Sequence, residues 1–164
     1  ALIGKGDTVI KPRILRAHSE GRLARMGDET NKVDMTPVSN VVDAIILSLS
    51  ADNKANNQIY NISNGKPELL WPLLDNLLEQ MNLPPLRKKI SLGIIVPIAK
   101  LMEWHAKWLN NYKEPVLTVY GIGTLTKSFT MDISKAKKLL GYIPQQTAKE
   151  AINEFVEWYK LKNQ

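Results

Sequence analysis

The run from Ile90 to Leu109 is the most apolar stretch of the sequence, and its reading decides in which solvent the chain can fold. A bilayer span needs about 20 consecutive, predominantly apolar residues. Lys100, Glu103, His105 and Lys107 interrupt this run, and Pro97 is placed to kink a helix passing through it. The segment therefore reads as an amphipathic helix and not as a span. Ile94, Ile95, Ile98, Leu101, Met102, His105, Trp108 and Leu109 form a face wider than one core contact needs, while Lys100, Glu103 and Lys107 stay wet. Part of that face is expected to remain exposed, in a position to cover substrate or lipid.

Elsewhere the pattern predicts helices separated by short extended runs. Val9, Ile10, Ile14, Leu15 and Ala17 recur at helical spacing after Thr8, with Pro12 in the first turn and Gly21 as the stop. Lys32 to Val38 reads as an extended run with Pro37 at its end, after which Ser39 or Asn40 caps an apolar helix through Leu49. Gln58 to Ser63 alternates like a strand and closes on Asn64-Gly65. Pro67 and Glu68 open a helix whose leucines, Leu70 to Leu78, and Met81 share one face ahead of Pro84-Pro85. Asp132 or Ser134 begins a short helix that Gly141 ends, and Thr147 with Glu150 has capping-box spacing for a last helix carrying Ile152, Phe155, Val156 and Tyr159. With 164 residues the chain reads as one domain, residues 1–164, whose class is α/β, mainly helical with a few short strands.

A formal charge of +6 raises the question of polyanionic partners. The basic residues fall into three loose groups, Arg13 to Arg25, Arg87 to Lys89 and Lys135 to Lys138, each mixed with apolar residues as solvated faces are, so no specific nucleic acid is expected. The absence of cysteine excludes disulfides and thiolate metal sites and points to the cytoplasm, with peripheral membrane contact as the second expectation. The opening Ala1 to Asp7 carries no secretory pattern and reads as a cut through a larger protein.

Catalytic machinery is hard to find. His18 and His105 stand apart and make no zinc motif. Gly4-x-Gly6 and Gly121-x-Gly123 begin a dinucleotide fingerprint, but Val9 and Thr126 occupy the third position, and both pairs read as turns without a strand and long helix around them. A Tyr with Lys four residues on would support proton transfer. Tyr60, Tyr112, Tyr120, Tyr142 and Tyr159 are followed there by Asn64, Val116, Thr124, Gln146 and Asn163.

Three stretches carry a family likeness: Lys32 to Ala44, Tyr60 to Gly65, and Asp132 to Pro144. In order and spacing they resemble the C-terminal portion of extended short-chain dehydrogenases/reductases of the NAD-dependent epimerase/dehydratase superfamily. Glu114 to Thr118 and Gly121 to Ser128 look most like the 3-beta-hydroxysteroid and sterol dehydrogenase branch. Gly4-Lys5-Gly6-Asp7 resembles the turn after the last strand of the catalytic domain, which implies that the glycine fingerprint, the catalytic Ser/Thr and the Tyr-x-x-x-Lys pair lie upstream of Ala1. Pro37 and Asn40 stand where the family commonly has Tyr and Asp. The resemblance implies the substrate-binding part of a Rossmann-type oxidoreductase, lacking the dinucleotide-binding half. The intact parent would use NAD or NADP on a sterol-like or other hydroxyl or ketone substrate. This chain alone would hold neither a cofactor nor a catalytic residue.

It further implies that Leu2 and Ile3 run beside the cofactor, and that Gly4, Arg13, Lys32, Asp34 and, less strongly, Tyr120 contact substrate. The partners implied are the small-molecule substrate, the missing N-terminal half and, in one arrangement, a second copy in a homodimer. A competing reading is a self-standing basic module that binds nucleic acid or an anionic membrane surface through Trp104, Trp108 and the surrounding lysines. Such a module would bind polyanions tightly and with strong salt dependence. A third is a regulatory or structural role as partner of the missing half.

Overall fold

The computed structural model describes residues 1–8, 10–109 and 115–162. Val9, Tyr112, Glu114 and Asn163, which enter the sequence reading, lie outside the described residues. The helices are α1 (Ile10–Ser19), α2 (Val38–Leu49), α3 (Leu70–Gln80), α4 (Leu92–Leu109), α5 (Val119–Thr126), α6 (Ser134–Leu140) and α7 (Ala148–Lys162). Between them lie six two-residue strands, β1 (Leu2–Ile3), β2 (Arg25–Met26), β3 (Lys32–Val33), β4 (Thr36–Pro37), β5 (Glu68–Leu69) and β6 (Lys89–Ile90). They pair in twos: β1 with β4 and β2 with β6 in parallel, β3 with β5 antiparallel. The mainly helical character with short strands is what the periodicity predicts.

Helix α3 is the central element, because its residues are buried on two sides. Leu70, Trp71, Leu74 and Leu78 pack with Leu15 of α1, Met26 of β2, Ile95 and Ala99 of α4 and Ile122 of α5. Leu73 and Leu77 instead join Ile3 of β1 and the buried side of α7, Ala151, Ile152, Phe155 and Val156. A third cluster ties Ala44 of α2 to Ala136, Leu140 and Tyr142 around α6. Each fully buried Leu or Phe here contributes about 1.5–3 kcal/mol, so α3, with six buried residues in eleven, is the element the others depend on.

Five local expectations are corrected. Ser39 and Asn40 do not cap α2: the helix follows β4 without a break, Pro37 takes the cap position, and no side chain accepts there. Gln58 to Ser63 is not a strand, since alternation supplies two faces but no partner, and no strand lies beside it among the described residues. Glu68 does not open α3, because Glu68 and Leu69 are in the ladder opposite Val33 and Lys32, so the helix starts at Leu70. Gly121 and Gly123 are not in a turn but within α5, where Thr118 Oγ1 accepts the Gly121 N–H at 2.9 Å and Glu103 Oε1 accepts the Val119 N–H at 2.7 Å. Those two bonds satisfy N-terminal donors that would otherwise be orphaned, offsetting the glycine penalty. The fifth is Arg25, which is not part of a solvated face and is described below.

The apolar run forms α4 as expected, with Pro97 inside it. The N–H that Pro97 lacks would meet the Gly93 carbonyl one turn back, and Gly93 is exposed, so water can satisfy that carbonyl. No described helix is long and apolar enough to cross a membrane.

Candidate functional site

Strand β1 delivers the chain to the centre of the molecule. Leu2 and Ile3 lie opposite Thr36 and Pro37 of β4, the Thr36 N–H donates to the Ala1 carbonyl at 2.8 Å, and the Ala1 nitrogen donates to the Asp34 carbonyl at 2.8 Å. Ile3 is buried, whereas Leu2 is 53% exposed. A narrow cleft of only about 10 Å³ lies beside them, lined by Leu2, Ile3, Ile14, Met35, Leu73, Leu74, Leu77 and Ile152. Every lining side chain is apolar and the space is about that of one water molecule, so in this chain the lining is packed as core.

The strand ends in Gly4-Lys5-Gly6, and here the sequence reading is corrected again: the turn does stand between a strand, β1, and a helix, α1. A β-carbon on Gly4 would sit 3.3 Å from Cγ2 of Val38. The glycine is thus accounted for by close packing of the turn on the start of α2.

Asp34 is buried beside this site. Its Oδ2 accepts the Met131 N–H at 2.6 Å, its own N–H donates to the Phe129 carbonyl at 3.2 Å, and Oδ1 has no partner among the described residues. Lys32 lies on the same strip: its N–H donates to Ser128 Oγ at 2.9 Å, and its carbonyl accepts the Phe129 N–H at 2.8 Å. Together these bonds fasten residues 128–131 alongside β3, where Val33 forms a parallel bridge with Phe129. The Lys32 side chain remains exposed.

Leu2 and Ile3 thus border the cleft, Gly4 follows them outside its lining, and Lys32 in β3 and Asp34 just after it lie on the segment that leads into β4, the partner of β1. Arg13 does not join them as a lining residue: it is exposed on α1, one position from Ile14, which does. Tyr120 is 81% exposed on α5 and also lies outside the cleft lining. The lining residues Ile14, Met35, Leu73, Leu74, Leu77 and Ile152 were not singled out from sequence, since in a pattern of apolar periodicity they are indistinguishable from core.

A polar network stands on the other side of α3. Arg25 Nη2 donates to both carboxylate oxygens of Asp75 at 2.6 Å, Nη1 donates to Glu29 Oε2 at 2.6 Å, and Nε to the Leu86 carbonyl at 3.1 Å. Lys89 Nζ pairs with Glu29 Oε1 at 2.5 Å, and the guanidinium lies 5.9 Å from the centre of the Trp71 ring. The Asp75 bond, ahead of the Glu29 bond, pushes the Arg25 pKa up, and Lys89 followed by Arg25 holds the Glu29 carboxyl below its ordinary value. This network pins β2 to β6 and α3, and each nitrogen of the Arg25 guanidinium is held by protein, which makes its role structural. Among the described residues no group of His, Asp and Glu could hold a metal ion.

Solved structures place this arrangement in a class. UDP-glucuronic acid 4-epimerase from Bacillus cereus, in complex with NAD, matches with a TM-score of 0.65 at 14% identity, over 100% of this chain and 43% of that one. The fold is therefore shared with part of that epimerase. By sequence, residues 1–93 match the profile of the 3-beta hydroxysteroid dehydrogenase/isomerase family, and the chain belongs to that family. The 3beta-hydroxysteroid-dehydrogenase/decarboxylase isoform 1 of Arabidopsis thaliana is 33% identical over 100% of this chain and 40% of its own length. The uncharacterized protein YbjS of Escherichia coli (strain K12) is 31% identical over 98% of this chain and 48% of its own length. The chain thus spans about half the length of these relatives or less.

Proposed function

We propose that this chain is the substrate-facing unit of an NAD(P)-dependent oxidoreductase acting on a hydroxyl or ketone of an apolar small molecule. What supports this reading is the match of residues 1–93 to the 3-beta hydroxysteroid dehydrogenase/isomerase family, together with the 33% identity to the Arabidopsis thaliana 3beta-hydroxysteroid-dehydrogenase/decarboxylase isoform 1. In this reading Leu2 and Ile3 border the nicotinamide, Gly4 lets the turn pack closely on α2 beside them, and the exposed Lys32 supplies a cation toward substrate. Asp34 acts by holding residues 128–131, and Arg13 and Tyr120 meet substrate only if the remaining part of the parent brings it to them.

The cofactor belongs to that remaining part. Gly4 and Gly6 are followed at the third fingerprint position by Val9, and Gly121 and Gly123 lie inside α5, so the residues present do not fit a pyrophosphate cradle. A half-exposed Leu2 on a two-stranded parallel pair, and the outward side chains of α2 considered below, are what a sheet layer looks like when its companion strands belong elsewhere.

Calorimetry and a coupled assay test the reading together. Residues 1–164 alone should bind neither NAD nor NADP at micromolar concentration, and the intact protein should reduce NAD(P) with an apolar secondary alcohol such as a 3-beta-hydroxysterol. Micromolar cofactor binding by residues 1–164 would overturn the division of labour. Turnover of UDP-sugars with none of the sterol would overturn the apolar substrate.

A further inference from the structure

We propose that Phe129 is a specificity-determining residue, its ring forming a wall against which an apolar, ring-containing substrate lies. The inference rests on the oxidoreductase reading above and adds a residue that is absent from the cleft lining. Residues 127–130 are all exposed, and Phe129, 63% exposed, is the one apolar side chain among them. Its backbone, by contrast, is held on both polar groups. The Phe129 N–H donates to the Lys32 carbonyl at 2.8 Å, and its carbonyl accepts the Asp34 N–H at 3.2 Å. Two residues on, the Met131 N–H donates to Asp34 Oδ2 at 2.6 Å. The parallel bridge to Val33 sets the two side chains next to one another on one face of the strip. Val33 is half-buried against the core, so this row runs from the core outward and ends in the exposed ring. An aromatic ring on a fixed backbone has only two side-chain torsions to lose when a ligand covers it, which makes it an economical contact.

Position selects the occupant. Asp34 bonds Phe129 through its N–H and Ala1 through its carbonyl, at 3.2 and 2.8 Å, so residue 129 and the start of β1 are neighbours on one residue. In the reading above, Leu2 and Ile3 of β1 border the nicotinamide. A substrate whose hydroxyl meets the nicotinamide therefore has the rest of its body within reach of Phe129, and what a phenyl ring beside a valine favours is hydrocarbon. A small alcohol would react without extending that far. Asp34 is the positioning residue of this arrangement, because its carboxylate and its backbone together fix residues 129–131 relative to β1.

Two measurements on the intact protein test this: equilibrium binding of the fluorescent sterol dehydroergosterol, and NAD(P) reduction with a 3-beta-hydroxysterol and with 2-butanol. Phe129→Ala should weaken sterol binding and raise the sterol KM by about tenfold or more, leaving KM for 2-butanol and for NAD(P) in place. Phe129→Tyr should recover most of the sterol affinity. Asp34→Ala should raise the sterol KM on its own and add little on top of Phe129→Ala, and Asp34→Asn, which keeps an oxygen for the Met131 N–H, should recover most of that loss. Absent sterol binding, or sterol binding unchanged in Phe129→Ala, would overturn the proposal. So would an equal loss toward sterol, 2-butanol and NAD(P), or a loss accompanied by a lower melting temperature, either of which would assign the ring to contacts within the protein. If neither alcohol is turned over while sterol binding still depends on Phe129, the oxidoreductase reading falls and the wall stands.

Discussion

Gly141 ends α6 at φ 65°, the left-handed conformation in which a β-carbon meets the backbone carbonyl. No heavy atom lies within 4 Å of where that β-carbon would be, so a substitution there would be penalised by backbone conformation alone. Gly141→Val should cost about 1–2 kcal/mol. For a chain of this size that lowers the melting temperature by roughly 2–8 °C, readable by circular dichroism. Both Gly141 and the reciprocal bonds of Thr147 with Glu150 were legible in the sequence, because each motif closes within a few residues. Asn40 was not: its Oδ1 accepts the N–H groups of Gln145 and Gln146 at 3.0 Å, and its Nδ2 donates to the Gln146 carbonyl at 2.8 Å, partners more than a hundred residues away. The amide is what both donates and accepts here, which explains why Asn serves at a position where the family commonly has Asp.

At the scale of elements, two-residue strands are too short to hold themselves, and side chains fasten them. Glu29 receives Lys89 from β6 and Arg25 from β2, and both hold its carboxyl below the usual carboxylate range of about 4. A depressed folded value stabilises above the unfolded pKa, and the contribution disappears as pH falls through the lower folded pKa. Melting temperature followed from neutral pH to about 2 should therefore fall more steeply in the parent protein than in Glu29→Gln, the two curves converging at the acid end. Helices with a strong apolar face, α3 and α7, were legible because periodicity alone defines them. The strand pairs were not, since β2 meets β6 and β3 meets β5 across long stretches of chain, and residues 58–63 show that alternation without a partner makes no strand. Helix α5 was missed because its glycines argue against it locally, while the cap from Glu103 comes from another helix.

For the molecule as a whole, the exposed aliphatic side of α2 gives a test of the proposed larger parent, in which other residues would cover it. Ile45→Lys with Leu49→Lys should leave the melting temperature of residues 1–164 unchanged and reduce binding of a hydrophobic dye, since both side chains are more than half exposed. In the intact protein the same pair should lower stability by about 2 kcal/mol or more, because lysines would then enter a protein interior. Equal melting shifts in the two settings would show that nothing covers α2. The resemblance singled out Leu2, Ile3 and Gly4, and the side chains that pack around Ile3 could not be paired with it from sequence, because apolar periodicity names a buried face and not its partner.

Ile3 is covered by Ala151, Ile152 and Phe155, so a side chain early in these residues is buried by a helix much later in them. Until Ala148 to Val156 leave the ribosome, Ile3, Leu73 and Leu77 have no lid, and closure of a long loop must precede their burial. A nascent chain arrested before that point would present an aliphatic surface of the sort holdase chaperones retain. Synthesis of α7 and burial of this core are therefore coupled, and the cell has a physical signal by which to distinguish a chain that has reached α7 from one that has not.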